Sequence, residues 1–84
     1  MKKIGKIRQF RAIIERDDDG FYVASVPALP GCHTQAKTME KLHERLKEVI
    51  ELCLEHAAED QTYRILIKRF AYDPTFVGLE TVRV

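Results

Sequence analysis

The chain has 84 residues, 45% of them hydrophobic, with 14 Lys+Arg against 13 Asp+Glu for a formal charge of +1, and two cysteines. That length predicts a single domain over 1–84 with a thin core, since a chain of this size buries only about 60–65% of its unfolded surface. The composition argues against a general nucleic-acid-coating protein, a disordered acidic chain, a disulfide framework and a bilayer-spanning protein, and it favours a reduced, cytoplasmic setting.

The basic start MKKIGKIRQFRAII does not read as a signal peptide, because Arg8, Gln9 and Arg11 interrupt any apolar core. Lys2, Lys3, Lys6, Arg8 and Arg11 form a basic arm without an aromatic platform, which reads as a solvated edge rather than a nucleic-acid site. Residues 7–15 alternate as a first strand. Phe10, Ala12 and Ile14, with Arg8 at the edge, take one face, and Ile7, Gln9, Arg11, Ile13 and Glu15 take the other. Asp19-Gly20 signals a hairpin turn, because glycine tolerates the positive φ that such turns demand.

A second strand over 21–26 places Phe21, Val23 and Ser25 on one face and Tyr22, Ala24 and Val26 on the other. Pro27 lacks the N–H a ladder needs and Pro30-Gly31 fixes a bend, so a short third strand of about five residues starts near Cys32. Thr38 is the predicted N-cap of an amphipathic helix of about 20 residues. Met39, Leu42, Leu46, Val49, Cys53 and Ala57, widened by Ile50 and Leu54, form its apolar stripe.

Residues 58–62 read as a polar loop, and YRILIKRF over 63–70 as a fourth strand with Tyr63, Ile65 and Ile67 opposite Leu66 and Phe70. After Asp73-Pro74 the tail FVGLETVRV can add a fifth strand to its own sheet edge or to a neighbour's. The expectation is therefore an α+β domain of order β-β-β-α-β, a three-stranded antiparallel meander with one long helix and a fourth strand. One helix covers only one sheet face. With Ile13, Phe21 or Tyr22, and Leu66 leaving the other partly apolar, a second protein surface is expected there, as a homo-oligomer (dimer or tetramer) or a different partner.

The hairpin Ile14-Glu15-Arg16-Asp17-Asp18-Asp19-Gly20 is followed by Tyr22-Val23-Ala24, Pro27-Ala28-Leu29-Pro30-Gly31-Cys32, Thr34-Gln35, Thr38 and a helix ending Ile50-Glu51-Leu52-Cys53-Leu54-Glu55. Over roughly residues 10–57 this combination resembles the HicB-like antitoxin family. The resemblance implies a partial ribonuclease-H-like fold without nuclease activity, and neutralisation of a small basic messenger-RNA-cleaving toxin of the HicA type. The chain departs from the family pattern in carrying Ala36-Lys37 where Gly-Asp is common. It also leaves no room for the C-terminal DNA-binding module many members carry, so operator binding is not carried over.

A ribonuclease-H-type site needs carboxylates converging on two metal ions from a central strand, whereas here Glu15 stands at a strand end. No catalytic residue and no enzyme activity are expected. Asp17, Asp18 and Asp19 lack calcium-loop spacing and read as a solvated turn. Cys32, His33, Cys53 and His56 do not match a zinc spacing, so no metal or cofactor is expected and both cysteines read as small buried hydrophobes, while His43 reads as solvated. The function expected is occlusion of the toxin. The contact residues are Asp17, Asp18, Asp19 and Tyr22 at the hairpin and Glu44, Glu48, Glu51 and Glu55 on the helix, chosen for charge complementarity to a basic partner. The alternative is an oligomeric binding module without a toxin.

Overall fold

The hairpin forms where Asp17 and Gly20 permit it. The computed structural model describes residues 9–70 and 74–84, and in it β1 (Ile13–Arg16) pairs antiparallel with β2 (Tyr22–Ser25). Asp17 closes the turn from both ends, its N–H donating to the Phe21 carbonyl at 2.9 Å and its Oδ1 accepting from the amides of Asp19 at 3.0 Å and Phe21 at 2.9 Å. Gly20 sits at φ +88°, the left-handed region that only glycine enters freely.

β2 then pairs antiparallel with β3 (His33–Ala36), giving a three-stranded sheet of order β1-β2-β3. The connection is a tight loop. Val26 N–H donates to the Cys32 carbonyl at 2.9 Å, Leu29 N–H to Val26 at 3.0 Å and Cys32 N–H to Leu29 at 3.0 Å, with Gly31 at φ +76°. These bonds turn Leu29 and Cys32 inward, where both are buried.

α1 (Met39–Glu59) starts at Thr38, whose Oγ1 accepts from Lys41 N–H at 3.1 Å, and it covers the face carrying Tyr22, Ala24, Val26 and Ala36. Ala24, Val26, Leu29, Cys32, Ala36, Leu42 and Leu46 form the buried core, with Phe10, Ala12, Val49, Ile50, Cys53 and Leu54 packed around it. Ala36 is buried beneath the helix, and Lys37 makes the turn with its Nζ 5.2 Å from the Phe21 ring. Arg45 donates to the Gln35 carbonyl at 2.7 Å and ties α1 to the outer edge of β3.

The structure corrects the sequence reading downstream of the helix. Residues 63–70 are not a fourth strand. They belong to α2 (Gln61–Phe70), which follows α1 after the single residue Asp60, so the loop expected at 58–62 is absent as well. Asp60 explains both points. Its N–H donates to the His56 carbonyl at 2.8 Å, ending α1, while its Oδ1 accepts from Thr62 at 2.8 Å and Tyr63 at 3.3 Å, capping α2. Arg64 then donates to the carbonyls of Ala57 at 2.7 Å and Ala58 at 3.1 Å, which the end of α1 leaves without helical partners.

The alternation in YRILIKRF conceals a helical pair, Tyr63 and Ile67, which is half-buried against the domain, whereas Ile65 and Leu66 are exposed. Residues 74–84 form no strand either, so among the described residues the sheet stops at three strands, short of the expected fourth and fifth. β1 is also shorter than expected. Phe10 and Ala12 keep their predicted face outside regular strand, while Ile7, Arg8 and the basic positions Lys2, Lys3 and Lys6 lie outside the described residues. The far sheet face carries Ile13, Glu15, Phe21, Val23, Ser25, His33 and Gln35, and among the described residues no helix covers it.

Candidate functional site

The clearest charged feature lies on α1. At 100° per residue, Glu44, Glu48, Glu51 and Glu55 fall within an arc of about 60° and span about 17 Å of helix. All four are exposed, on the side opposite the buried Leu42 and Leu46. They form one solvent-facing ridge because the apolar side chains occupy the opposing stripe at the same three- and four-residue spacing. Lys41 Nζ approaches Glu44 Oε1 at 3.4 Å, an exposed pair of small energetic weight, whereas Glu48, Glu51 and Glu55 make no ion pair among the described residues. Glu40, not among the expected contact residues, continues the ridge toward the helix start. Its position four residues before Glu44 was the available signal.

The hairpin tip stands at the sheet end where α1 begins, since Arg16 pairs with Tyr22 and Tyr22 with Ala36, two residues before the cap. Asp17 is occupied in closing the turn, which leaves Asp18 and Asp19 as the outward carboxylates of the three. Tyr22 lies on the helix-facing side, half-buried, with the Arg16 guanidinium 5.3 Å from its ring centre. The expected contact residues therefore divide into a helix ridge, a tip of two free aspartates, and a tyrosine already engaged by a cation.

A second cluster joins α1, α2 and the loop before β3. Tyr63 Oη donates to the Pro30 carbonyl at 2.7 Å, and its ring lies 4.9 Å from that of His56, whose Nε2 is 3.3 Å from Asp60 Oδ2. Cys32 and Cys53 are both free thiols, Cys32 buried in the core and Cys53 half-buried against it. Burial, reinforced by the Cys53 thiol, pushes the Cys32 thiol up to about 12, and the Tyr63 phenol is raised by burial and by Cys53 in the same way. A thiol shifted in this direction stays protonated at neutral pH, the reverse of what a nucleophile or metal ligand needs.

His33 points from the far sheet face, apart from both cysteines, and among the described residues no three His, Cys, Asp or Glu side chains converge to hold a metal. Glu15 lies within β1 rather than at its end, opposite Val23 on that far face, with no second carboxylate among the described strand residues of that face. Two clefts border residues 9–14, before and at the start of β1. One of about 750 Å³ runs between Gln9–Arg11 and α1, with Phe10, Ile50 and Leu54 as apolar lining and His43, Lys47 and Glu51 at its rim. The other, of about 510 Å³, separates Arg11–Ile14 and Pro27 from Pro74–Val77.

Among the described residues no helix is long and apolar enough to cross a membrane. Residues 10–76 match the family described as the HicB-like antitoxin of bacterial toxin-antitoxin systems. A UPF0150 protein of Archaeoglobus fulgidus is 46% identical over 76 residues, covering 90% of this chain and 94% of the relative. One from Thermotoga maritima is 46% identical over 85 residues, covering 100% of this chain and 97% of the relative. A third, from Synechocystis, is 44% identical over 55 residues, covering 66% and 80%. No solved structure matches the chain. With the hairpin, the LPGC loop and the capped acidic helix all inside the matched span, the chain belongs to the HicB-like antitoxin family.

Proposed function

We propose that this protein is a cytoplasmic, single-domain antitoxin that binds a small basic messenger-RNA-cleaving toxin of the HicA type and covers its working surface, without catalysis of its own. Family membership supports the antitoxin role. The observation that carries the mode of action is the ridge of Glu44, Glu48, Glu51 and Glu55, a row of carboxylates in a chain whose overall charge is only +1. A row of one sign steers a basic partner from a distance and fixes its register on contact. Asp18 and Asp19 extend the attraction at the sheet end where the helix starts, with Asp17 holding their turn and Tyr22 packing beneath Arg16.

The test is the association rate with a HicA-type toxin measured against ionic strength. Replacing Glu48→Gln and Glu51→Gln together lowers the rate on the order of ten-fold at low salt, and the difference closes at high salt. Asp18→Asn with Asp19→Asn has a smaller effect in the same direction. A rate that ignores both pairs at every salt concentration refutes the ridge as the docking surface.

A further inference from the structure

We infer that segment 74–84 is a strand donated to a second copy of this chain, adding to the outer edge of the partner's β1. Three observations lead to this arrangement, and none of them depends on the toxin reading.

The first is the segment itself. Phe76, Val77, Leu79, Val82 and Val84 are all exposed, with Val77 and Leu79 at 95% and 94%, so the segment buries almost none of its apolar surface within its own chain. In an extended chain Val77 and Leu79 face one way and Phe76, Val82 and Val84 the other. Apolar rows on both sides mark a strand that is covered on both faces once paired.

The second is the acceptor. β1 is an edge strand in the order β1-β2-β3, so among the described residues one row of its N–H and C=O groups has no strand partner. Its two faces expose Ile13 and Ile14 respectively, and the cleft between the preceding residues 9–11 and α1 is lined by Phe10, Ile50 and Leu54. An edge with apolar groups on both faces matches a donor with the same property.

The third is the exit point. Pro74–Val77 pass beside the chain's own Arg11–Ile14 across a cleft of about 510 Å³, and no backbone hydrogen bond joins them to β1 among the described residues. The segment thus leaves its own body at the edge that a two-fold axis would place against the partner's matching edge. Each copy then offers one donor and one acceptor, so the exchange closes as a dimer instead of propagating. Two reciprocal strands bury on the order of 2,000 Å², the range of a specific, stable interface.

The experiment uses the full chain without toxin, so its outcome is separate from that of the docking measurement above. Sedimentation equilibrium of the unmodified protein gives twice the mass of one chain. Leu79→Glu with Val82→Glu, two exposed positions whose change leaves the far-ultraviolet circular dichroism intact, raises the dimer dissociation constant on the order of a hundred-fold, because charges replace apolar groups at an interface centre. Ile14→Lys, which blunts the acceptor edge, does the same. Mixing the two variants restores a dimer of mixed composition, since the Ile14→Lys chain still has an intact donor and the other chain an intact acceptor. A monomer in the unmodified protein overturns the inference, whether or not its tail resists proteolysis. A dimer unaffected by Leu79→Glu with Val82→Glu, or variants that do not complement on mixing, overturns it equally.

Discussion

Tyr63→Phe tests the part of the fold that alternation alone would have assigned to a strand. The substitution keeps the ring against His56 and removes only the hydroxyl that donates to the Pro30 carbonyl at 2.7 Å. A neutral hydrogen bond contributes about 0.5–1.5 kcal/mol net, rising to about 1–3 kcal/mol when its loss strands a buried partner. Pro30 is only half-buried, so water can reach its carbonyl, and the expected cost is about 1 kcal/mol. For a domain of this size that lowers the melting temperature by about 4–8 °C. Urea unfolding should show the midpoint fall at constant slope, the mark of a stability change without a change in compactness. Tyr63→Ala, which also removes the ring from beside His56 and the half-buried helix interface, should cost about 3 kcal/mol or more. If Tyr63→Phe costs under about 0.3 kcal/mol and Tyr63→Ala under about 1 kcal/mol, α2 is not docked on α1 through this side chain, and the account of residues 61–70 fails.

Two further predictions concern the core. Leu42 is 0% exposed beneath the sheet while Leu52, on the same helix, is 62% exposed. Leu42→Ala should therefore cost about 2–5 kcal/mol, a large part of the roughly 4–13 kcal/mol available to a chain of this length, and Leu52→Ala under about 0.5 kcal/mol. Equal shifts in chemical unfolding would mean that α1 lies on the sheet by another face.

The second concerns alkali. Cys32 keeps its proton to about pH 12 when folded, whereas an unfolded thiol loses it near its ordinary value of 9.0. The native state then holds more protons across that window. The stabilisation from this group is complete below pH 9 and falls by about 1.4 kcal/mol per pH unit above it. Cys32→Ala should flatten the stability curve above pH 9 by about one proton, with Tyr63 supplying a residual slope of the same sign. Parallel curves for the two proteins would refute the burial of the thiol.

Much of the molecule is legible in its residues because the signals there are local. Asp19-Gly20 marks the hairpin, Pro27 and Pro30-Gly31 stop one strand before the next, and Thr38 opens the helix at the residue where its hydroxyl caps Lys41. The face assignment of Tyr22, Ala24 and Val26 follows from period-two alternation, and the acidic ridge from period 3.6, since each periodicity is a geometric property of one element. Family membership is legible for the same reason, because the hairpin, loop and helix that carry it are contiguous in the chain.

Residues 63–70 are different. YRILIKRF satisfies the strand pattern and also places Tyr63 and Ile67 one helical turn apart, and a short apolar run cannot choose between the two periods by itself. The choice is made by contacts distant in sequence. Asp60 caps the new helix, Arg64 completes the carbonyls at the end of α1, and Tyr63 reaches Pro30 across 33 positions. With that segment committed to a helix, the sheet lacks the expected fourth strand, and among the described residues no backbone hydrogen bond joins the apolar tail to β1. Sequence determined which segments pair and which helix face is wet, because backbone geometry repeats over a few residues. Tertiary structure alone decided which edge stays open, because that depends on which of two compatible periods finds partners across the fold.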